Sequence, residues 1–500
     1  MVFYYGLIPG LIADLALLCN IFFLFGILSS FQAVLTLPGI AGIVLTMGMA
    51  VDANVLIYER IREELRAGKN LKKAISDGYG NALSAIIDAN VTTILTGIIL
   101  AYFGTGPIKG FATTLIIGII TSVFTAVFLT RLVYERLVKG DKERHITFTT
   151  NITRRWFQNT QFNFVKARIV GYIISGVLLV AAVVSLSTRG LKQGIDFSGG
   201  RNYVVRFEQP VDAEALRETL SPVFDGSQLN VITMGADNQV RISTNYAVEN
   251  NSDSIDDVIE TMLYENLKPY LNEQVTKEMF VQRYTVVDGV YAASLEDSSV
   301  DNYGIQSSQK VGPSIADDIK TSAVWAIVFA LLGIGLYILI RFRNWTFSVG
   351  AVAGLIHDSL FILGVYSIFY SIMPFSLEID QSFIAAILTV IGYSINDTVV
   401  VFDRIRENIG LYPKREPARQ INDSLNSTLS RTFSTSLSTF IVLLAIFIFG
   451  GETIRGFVFA IMLGVIVGTY STLFVATPIA YELRRLQLRK KAGKEGENKA

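Results

Sequence analysis

Asp397 ends the apolar run Ile391-Gly392-Tyr393-Ser394-Ile395-Asn396-Asp397, and Arg431 opens the next apolar run among Ser430, Thr432, Ser434, Thr435 and Ser436. Charged side chains in hydrocarbon are expensive, so an acid and a base placed there mark a pathway for ions or protons. Burial disfavours an ionised carboxylate and so brings proton exchange within reach of the working pH. Arg431 can pair with Asp397 while the acid is charged and be released when it is protonated, which would make the pair a switch. A structural acid held by a neighbouring helix is the other reading of Asp397.

Further acids repeat this pattern earlier in the chain. In a gapless alignment of GMAVDANVLIYERIREEL with IGYSINDTVVVFDRIREN, Asp52 lies on Asn396 and Asp397 lies on Ala53. One residue along a helix turns a side chain by about 100°, so the two acids need not point alike. The counterpart of Arg431 is Ala85, which leaves the first half without a matching cation. Asp88, three residues on, supplies another acid, with Asn90, Thr92 and Thr93 nearby. Asp52 and Asp88 therefore join the relay candidates, with a fixed charge–dipole lining as their alternative. Asp14 and Asp358 form a matched pair expected near the cytosolic ends of their spans. Asp358 follows His357, the usual near-neutral titrator, although a structural role fits that pair as well.

Such residues need a membrane around them, and composition supplies it. Of 500 residues 51% are hydrophobic and 17% charged, with zero formal net charge and a mean hydropathy of +0.44. That describes a polytopic membrane protein and gives no basic excess for nucleic acid. About 20 apolar residues cross a bilayer as a helix. Ten spans result, near 7–29, 38–58, 84–103, 110–133, 168–187, 320–340, 346–371, 381–402, 428–449 and 456–480. The connections 59–83, 131–168 and 403–427 and the tail after Arg484 are rich in Lys and Arg, whereas 30–37, 104–109, 372–380 and 450–455 are short with few basic residues. Positive loops stay inside, so both termini are expected in the cytosol and 190–319 outside.

The spans form a repeat. Asp14 falls on Asp358 and Asn54 on Thr398 at an offset of 344 residues, which becomes 346 where Phe103–Phe111 lies on Phe449–Phe457. Four spans of one half thus reproduce four of the other in the same orientation. Parallel repeats are related by an axis along the membrane normal, and sites gather at their interface. Gly42, Gly48, Gly118, Gly392, Gly464 and Gly468 lie inside spans, where small residues let helices approach. The expected fold is a polytopic α-helical membrane protein: two parallel-repeat bundles plus one small extracytoplasmic α+β domain at 190–319.

Within that domain Tyr203–Phe207 and Val240–Ser243 alternate as strands, and Asp212–Leu220 and Ser254–Tyr270 read as amphipathic helices. Ser, Asp and Asn crowd 249–256 and 297–308, which reads as loop. Gly194-Ile195-Asp196-Phe197-Ser198-Gly199-Gly200 lacks the Lys-Ser/Thr of a phosphate cradle and is expected to be a tight turn at the domain entrance. The one cysteine, Cys19, allows neither a disulfide nor a thiolate cluster. No Walker, HExxH or Ser-His-Asp pattern points to an enzyme or a metal site.

The runs LTLPGIAGIVLTMGMAVDANVLIYERIREELRAG, GIDFSGG, LIHDSLF, IGYSINDTVVVFDRIREN and LSRTFSTSLST resemble the SecD and SecF families, and the chain is similar to a fused SecDF of the resistance-nodulation-division superfamily. The resemblance covers nearly the whole chain. It implies a SecD-like membrane half at 1–140, a cytosolic linker at 141–167, a first SecF-like span at 168–189, the outer domain at 190–319, a SecF-like half at 320–485 and a basic tail at 486–500. It also implies a non-enzymatic motor of the bacterial inner membrane that uses the proton gradient, with no bound cofactor, to help pull secreted proteins across after the ATP-driven step. The family's proton-linked acids fall on Asp52 and Asp397 and its arginine on Arg431. Implied partners are SecYEG, SecA, YajC and YidC, the unfolded exported polypeptide and the lipid bilayer. A complete SecD half carries further spans and a large outer domain ahead of Met1, which suggests a fragment or a mis-started gene product. Two other classes stay open on the residues alone: an exporter of small molecules or lipids, and a non-transporting scaffold.

Overall fold

Among the described residues ten helices are long and apolar enough to cross a membrane: span 1 (Leu7–Ser30), span 2 (Pro38–Arg66), span 3 (Leu71–Phe103), span 4 (Ile108–Val138), span 5 (Phe164–Thr188), span 6 (Pro313–Phe342), span 7 (Trp345–Phe369), span 8 (Gln381–Leu411), span 9 (Pro417–Phe449) and span 10 (Glu452–Lys490). The computed structural model describes residues 1–33, 35–104, 106–139, 146–150, 153, 160–224, 226–250, 253–294 and 302–497. Local chemistry sets several helix starts. Thr36, Asn70, Asn344 and Asp380 each accept a hydrogen bond from a backbone N–H in the first turn that follows, and Pro opens spans 6 and 9.

The helices reach beyond their apolar stretches. The connections at 59–83 and 403–427 are largely helical, since span 2 runs to Arg66 and span 3 starts at Leu71, while span 8 runs to Leu411 and span 9 starts at Pro417. Apolar length marks only the part of a helix inside hydrocarbon. The charged continuations project from the bundle's basic end, so called here for its Lys and Arg.

The two halves pack alike. Span 8 lies against span 3 of the other half as span 2 lies against span 9, and these are repeat-matched pairs. Packing within a half is as close: a Cβ on Gly118 of span 4 would sit 2.7 Å from Thr46 Oγ1 on span 2 of the same half. Burial separates centre from rim. In its apolar window span 8 is 89% buried and span 5 only 22%, so span 5 faces lipid with Val177 and Val180 exposed while span 8 is the axis of the molecule. Both halves also carry a π-helical turn at matching places, Phe124–Leu129 and Thr472–Ala476.

Among the described residues the domain between spans 5 and 6 carries a six-stranded antiparallel sheet in the order β2-β3-β1-β6-β4-β5. Its strands are β1 (Gly200–Arg206), β2 (Leu229–Met234), β3 (Ala236–Thr244), β4 (Tyr284–Val287), β5 (Val290–Ala293) and β6 (Asn302–Val311). Val205, Phe207, Leu216, Leu220, Val240, Ile259 and Leu263 form its core. The helix expected from Asp212 is Ala213–Leu220, capped by Asp212, and the second is Asp253–Leu267 with a 3-10 turn at Lys268–Tyr270. Two loop expectations are corrected. Residues 302–308 belong to β6, which pairs with β1 from Gly200↔Val311 to Arg206↔Gly304; pairing with a formed strand, not apolar alternation, holds this polar segment. Residues 253–256 begin the second helix, and 251–252 and 297–301 lie outside the described residues.

At the domain entrance Gly199 and Gly200 have φ of 73° and 144°, in the region glycine tolerates best, and Ile195–Ser198 makes one helical turn. The turn docks on the segment before span 8. Gly194 donates to the Ile379 carbonyl (2.8 Å), Ile379 donates to the Lys192 carbonyl (2.8 Å), and the Gln381 amide donates to Asp196 Oδ2 (3.1 Å).

Candidate proton-relay site between the two halves

Asp52 on span 2, Asn396 and Asp397 on span 8 and Arg431 on span 9 meet where the halves face each other. Asp52, Asp397 and Arg431 are buried, at 7%, 4% and 5% exposure. Arg431 Nη2 lies 3.5 Å from Asp52 Oδ1, and Asn396 Nδ2 donates to Asp52 Oδ2. Asp52 and Asn396 are repeat counterparts, so this hydrogen bond joins equivalent points across the pseudo-twofold axis.

The expected Asp397–Arg431 contact is not made. Among the described residues Asp397 has no ion pair within 4.0 Å, and its polar neighbour is Ser436, whose hydroxyl donates to Oδ2 at 3.5 Å. The reason lies in the packing. Span 9 follows span 8 in sequence, but it turns the Arg431 face toward span 2 of the other half, just as span 3 turns toward span 8. Asp52 therefore does have a cation, supplied by the opposite half. Arg431 Nε and Nη1 are buried and make no hydrogen bond among the described residues, so the guanidinium keeps donors for a second acceptor. A cavity of about 10 Å³, roughly one water, touches Asp52, Asn396, Arg431 and Thr93.

Small residues permit this close approach. A Cβ on Gly392 would stand 2.5 Å from Thr96 Oγ1, and Thr93 Oγ1 donates to the Gly392 carbonyl at 3.0 Å. The Tyr393 hydroxyl donates to Thr439 Oγ1 (3.1 Å), tying span 8 to span 9 above the charges.

The other candidates lie elsewhere. Asp88 faces span 6 rather than the central cluster: Arg341 Nε is 2.8 and 2.7 Å from its carboxylate oxygens, and the Tyr337 hydroxyl donates at 2.9 Å. Arg341 went unrecognised because it follows the apolar stretch and reads as a flanking positive charge.

Asp358 is not at the end of its span. It is the fourteenth residue of Trp345–Phe369, about 20 Å along the helix from Trp345, and is fully buried. Its Oδ2 accepts from Ser394 (2.6 Å) and Ser471 (2.8 Å), and its Oδ1 lies 3.0 Å from His357 Nδ1. Ser394 is three residues before Asp397, and Ser471 adjoins the π-turn of span 10. Thr472 in that turn bonds Thr398 at 2.8 Å. Asp358 thus sits in a second polar cluster beside the first. Its repeat partner Asp14 is half-buried on span 1 and, among the described residues, makes no ion pair within 4.0 Å. The serines gave no signal in sequence, since Ser and Thr are common in apolar helices.

Comparison with known proteins identifies the family and the fold. The family described as "Protein export membrane protein SecD/SecF, C-terminal" matches residues 2–139 and 290–486, and "SecD/SecF GG Motif" matches 184–211, around Gly199 and Gly200. The chain is 34% identical to the protein translocase subunit SecDF of Bacillus subtilis, over 98% of this chain and 63% of that one. It is 42% identical to the SecF subunit of Rhodothermus marinus, over 66% of this chain and 96% of that one. A crystal structure of SecDF from Thermus thermophilus, titled a translocon-associated membrane protein, superposes with a TM-score of 0.78 at 34% identity, over 97% of this chain and 60% of that one. The chain therefore spans about three-fifths of these SecDF relatives. With two thirds of its residues matched by the first family and nearly all of a SecF relative covered, the chain belongs to the SecD/SecF family of protein-export membrane proteins.

Proposed function

We propose that this chain is the membrane engine of a Sec accessory protein, driven by the proton-motive force, that promotes late steps of protein export across the bacterial plasma membrane. It carries no covalent catalysis and draws on the gradient rather than a bound cofactor. Both termini face the cytosol and the sheet domain faces outward, in keeping with the Lys and Arg of the basic end. The SecYEG channel, the SecA motor, YajC, YidC and an unfolded secreted polypeptide are its partners.

The observation that carries this reading is the buried Asp52–Arg431 contact between the halves, with Asp397 one residue from Asn396 and two guanidinium nitrogens free to turn to it. When Asp397 is ionised, Arg431 is drawn toward it. When a proton neutralises Asp397, Arg431 returns to Asp52. Because the partners stand on different halves, each exchange shifts one half against the other. One charge crossing 100 mV is worth about 2.3 kcal/mol, enough to bias two packings of similar energy.

Asp397→Asn and Arg431→Met in the full-length protein should each abolish proton-dependent stimulation of export while leaving membrane insertion intact. Export unchanged in both variants would overturn the reading and favour a scaffold.

A further inference from the structure

A closed ring of four charges lies at the basic end of spans 2 and 8. Arg60 pairs with Glu63 at 2.9 Å and Arg404 with Glu407 at 2.9 Å, each within one helix. Across the halves, Arg60 reaches Glu407 at 3.4 Å and Arg404 reaches Glu63 at 3.2 Å. Arg60 and Arg404 are repeat counterparts, as are Glu63 and Glu407, so the ring straddles the pseudo-twofold axis. The cross-half contacts are the longer ones, and they are the contacts that must part when one half moves. The glutamates are 37% and 39% exposed, and such pairs contribute only about 0–1 kcal/mol each. The ring can open easily.

Behind it lies a cavity of about 40 Å³, room for about three waters, bounded by Glu59, Arg60, Asp403, Arg404, Thr428 and Arg431. Arg431 also borders the smaller cavity at Asp52 and Asn396. Leu56 and Arg431 line both cavities, and Arg60, Glu63 and Arg404 of the ring line the second, so the two spaces lie in a row between Asp52 and the ring.

From this arrangement we infer that the ring of Arg60, Glu63, Arg404 and Glu407 is the basic-end gate of the proton path. It opens by parting Arg60 from Glu407 and Arg404 from Glu63, while the pairs within each helix hold the charges in place. The inference rests on the proton-driven reading, but its test requires no proton movement.

Cys19 is the chain's one cysteine. In a background with Cys19→Ser, and with any cysteine outside this sequence likewise replaced, Thr428→Cys places a thiol in the cavity behind the ring. The full-length protein in inverted membrane vesicles is treated with an anionic, membrane-impermeant methanethiosulfonate. Glu63→Gln with Glu407→Gln should raise the labelling rate about tenfold, and a full charge swap (Arg60→Glu, Glu63→Arg, Arg404→Glu, Glu407→Arg) should return it to the starting rate. Should the glutamine pair fail to fold, Arg404→Gln alone, which removes one cross-half contact, should give a smaller rise in the same direction. Equal labelling with the ring intact and broken would overturn the gate. So would a charge swap that labels as fast as the broken ring. If labelling responds as expected while export ignores Asp397→Asn, the gate stands and the motor falls.

Discussion

At the scale of the residue, the decisive contact is Arg431 with Asp52. Removing one partner of a buried ion pair strands a charge, which costs about 3–5 kcal/mol, whereas removing both costs much less. Arg431→Met should therefore lower the unfolding free energy of the purified protein by about 3 kcal/mol. Adding Asp52→Asn should recover most of that loss, and adding Asp397→Asn should recover little. A double-mutant cycle in denaturant unfolding measures the difference. The participants were legible in the sequence, because an acid or an arginine in an apolar run is conspicuous wherever it lies. Their partners were not. Asp397 with Arg431 was the natural pairing along the chain, and the true one depends on which face of span 9 meets the other half. Arg341 escaped notice for a related reason, since only packing shows that it turns back to Asp88.

At the scale of the element, span 8 links the site to the sheet domain. Its first turn is held by two carboxylates: Asp380 accepts from the Phe383 amide at 2.8 Å and Asp196 from the Gln381 amide at 3.1 Å. Burial, with the neighbouring Asp196 carboxylate and Glu378 adding to it, pushes the Asp380 carboxyl up to about 6 against the pull of the Phe383 amide and Arg241. An acid whose folded pKa is raised stabilises the fold fully below its unfolded value of about 3.9, and loses that contribution as pH rises through about 6. The junction should thus be firmer at pH 5 than at pH 7. Hydrogen exchange of the amides at 379–383, corrected for its intrinsic rate, should show greater protection at pH 5, and Asp380→Asn should flatten the dependence. The glycine turn feeding this junction was legible as a turn. That it docks on the start of span 8 was not, because the contacting residues Asp196 and Gln381 are 185 positions apart along the chain.

At the scale of the whole molecule, the two-half architecture and all ten spans follow from apolar length and from polar residues repeating at a fixed offset. The sheet domain was legible only in part: β1, the Val240–Ser243 part of β3 and two amphipathic helices show their periodicity, while polar β6 owes its place to its neighbours. The matching π-turns in spans 4 and 10 left no mark in composition, yet one adjoins Ser471 at Asp358 and carries Thr472 beside span 8. Symmetric packing carrying asymmetric charge is the plan of this protein. Asp52 with Arg431 on one side of the axis corresponds to Asn396 with Ala85 on the other, so neutralising one acid shifts the halves unequally.

That plan stands on Asp397 taking up and releasing a proton as the gradient changes. Infrared difference spectroscopy of the protein in sealed vesicles tests this directly, by following the carboxyl carbonyl band while the pH on the domain side is lowered. A protonated-carboxyl band that rises with the gradient and is missing from Asp397→Asn is the predicted result. A spectrum that ignores the gradient, or the same band in the variant, would contradict it.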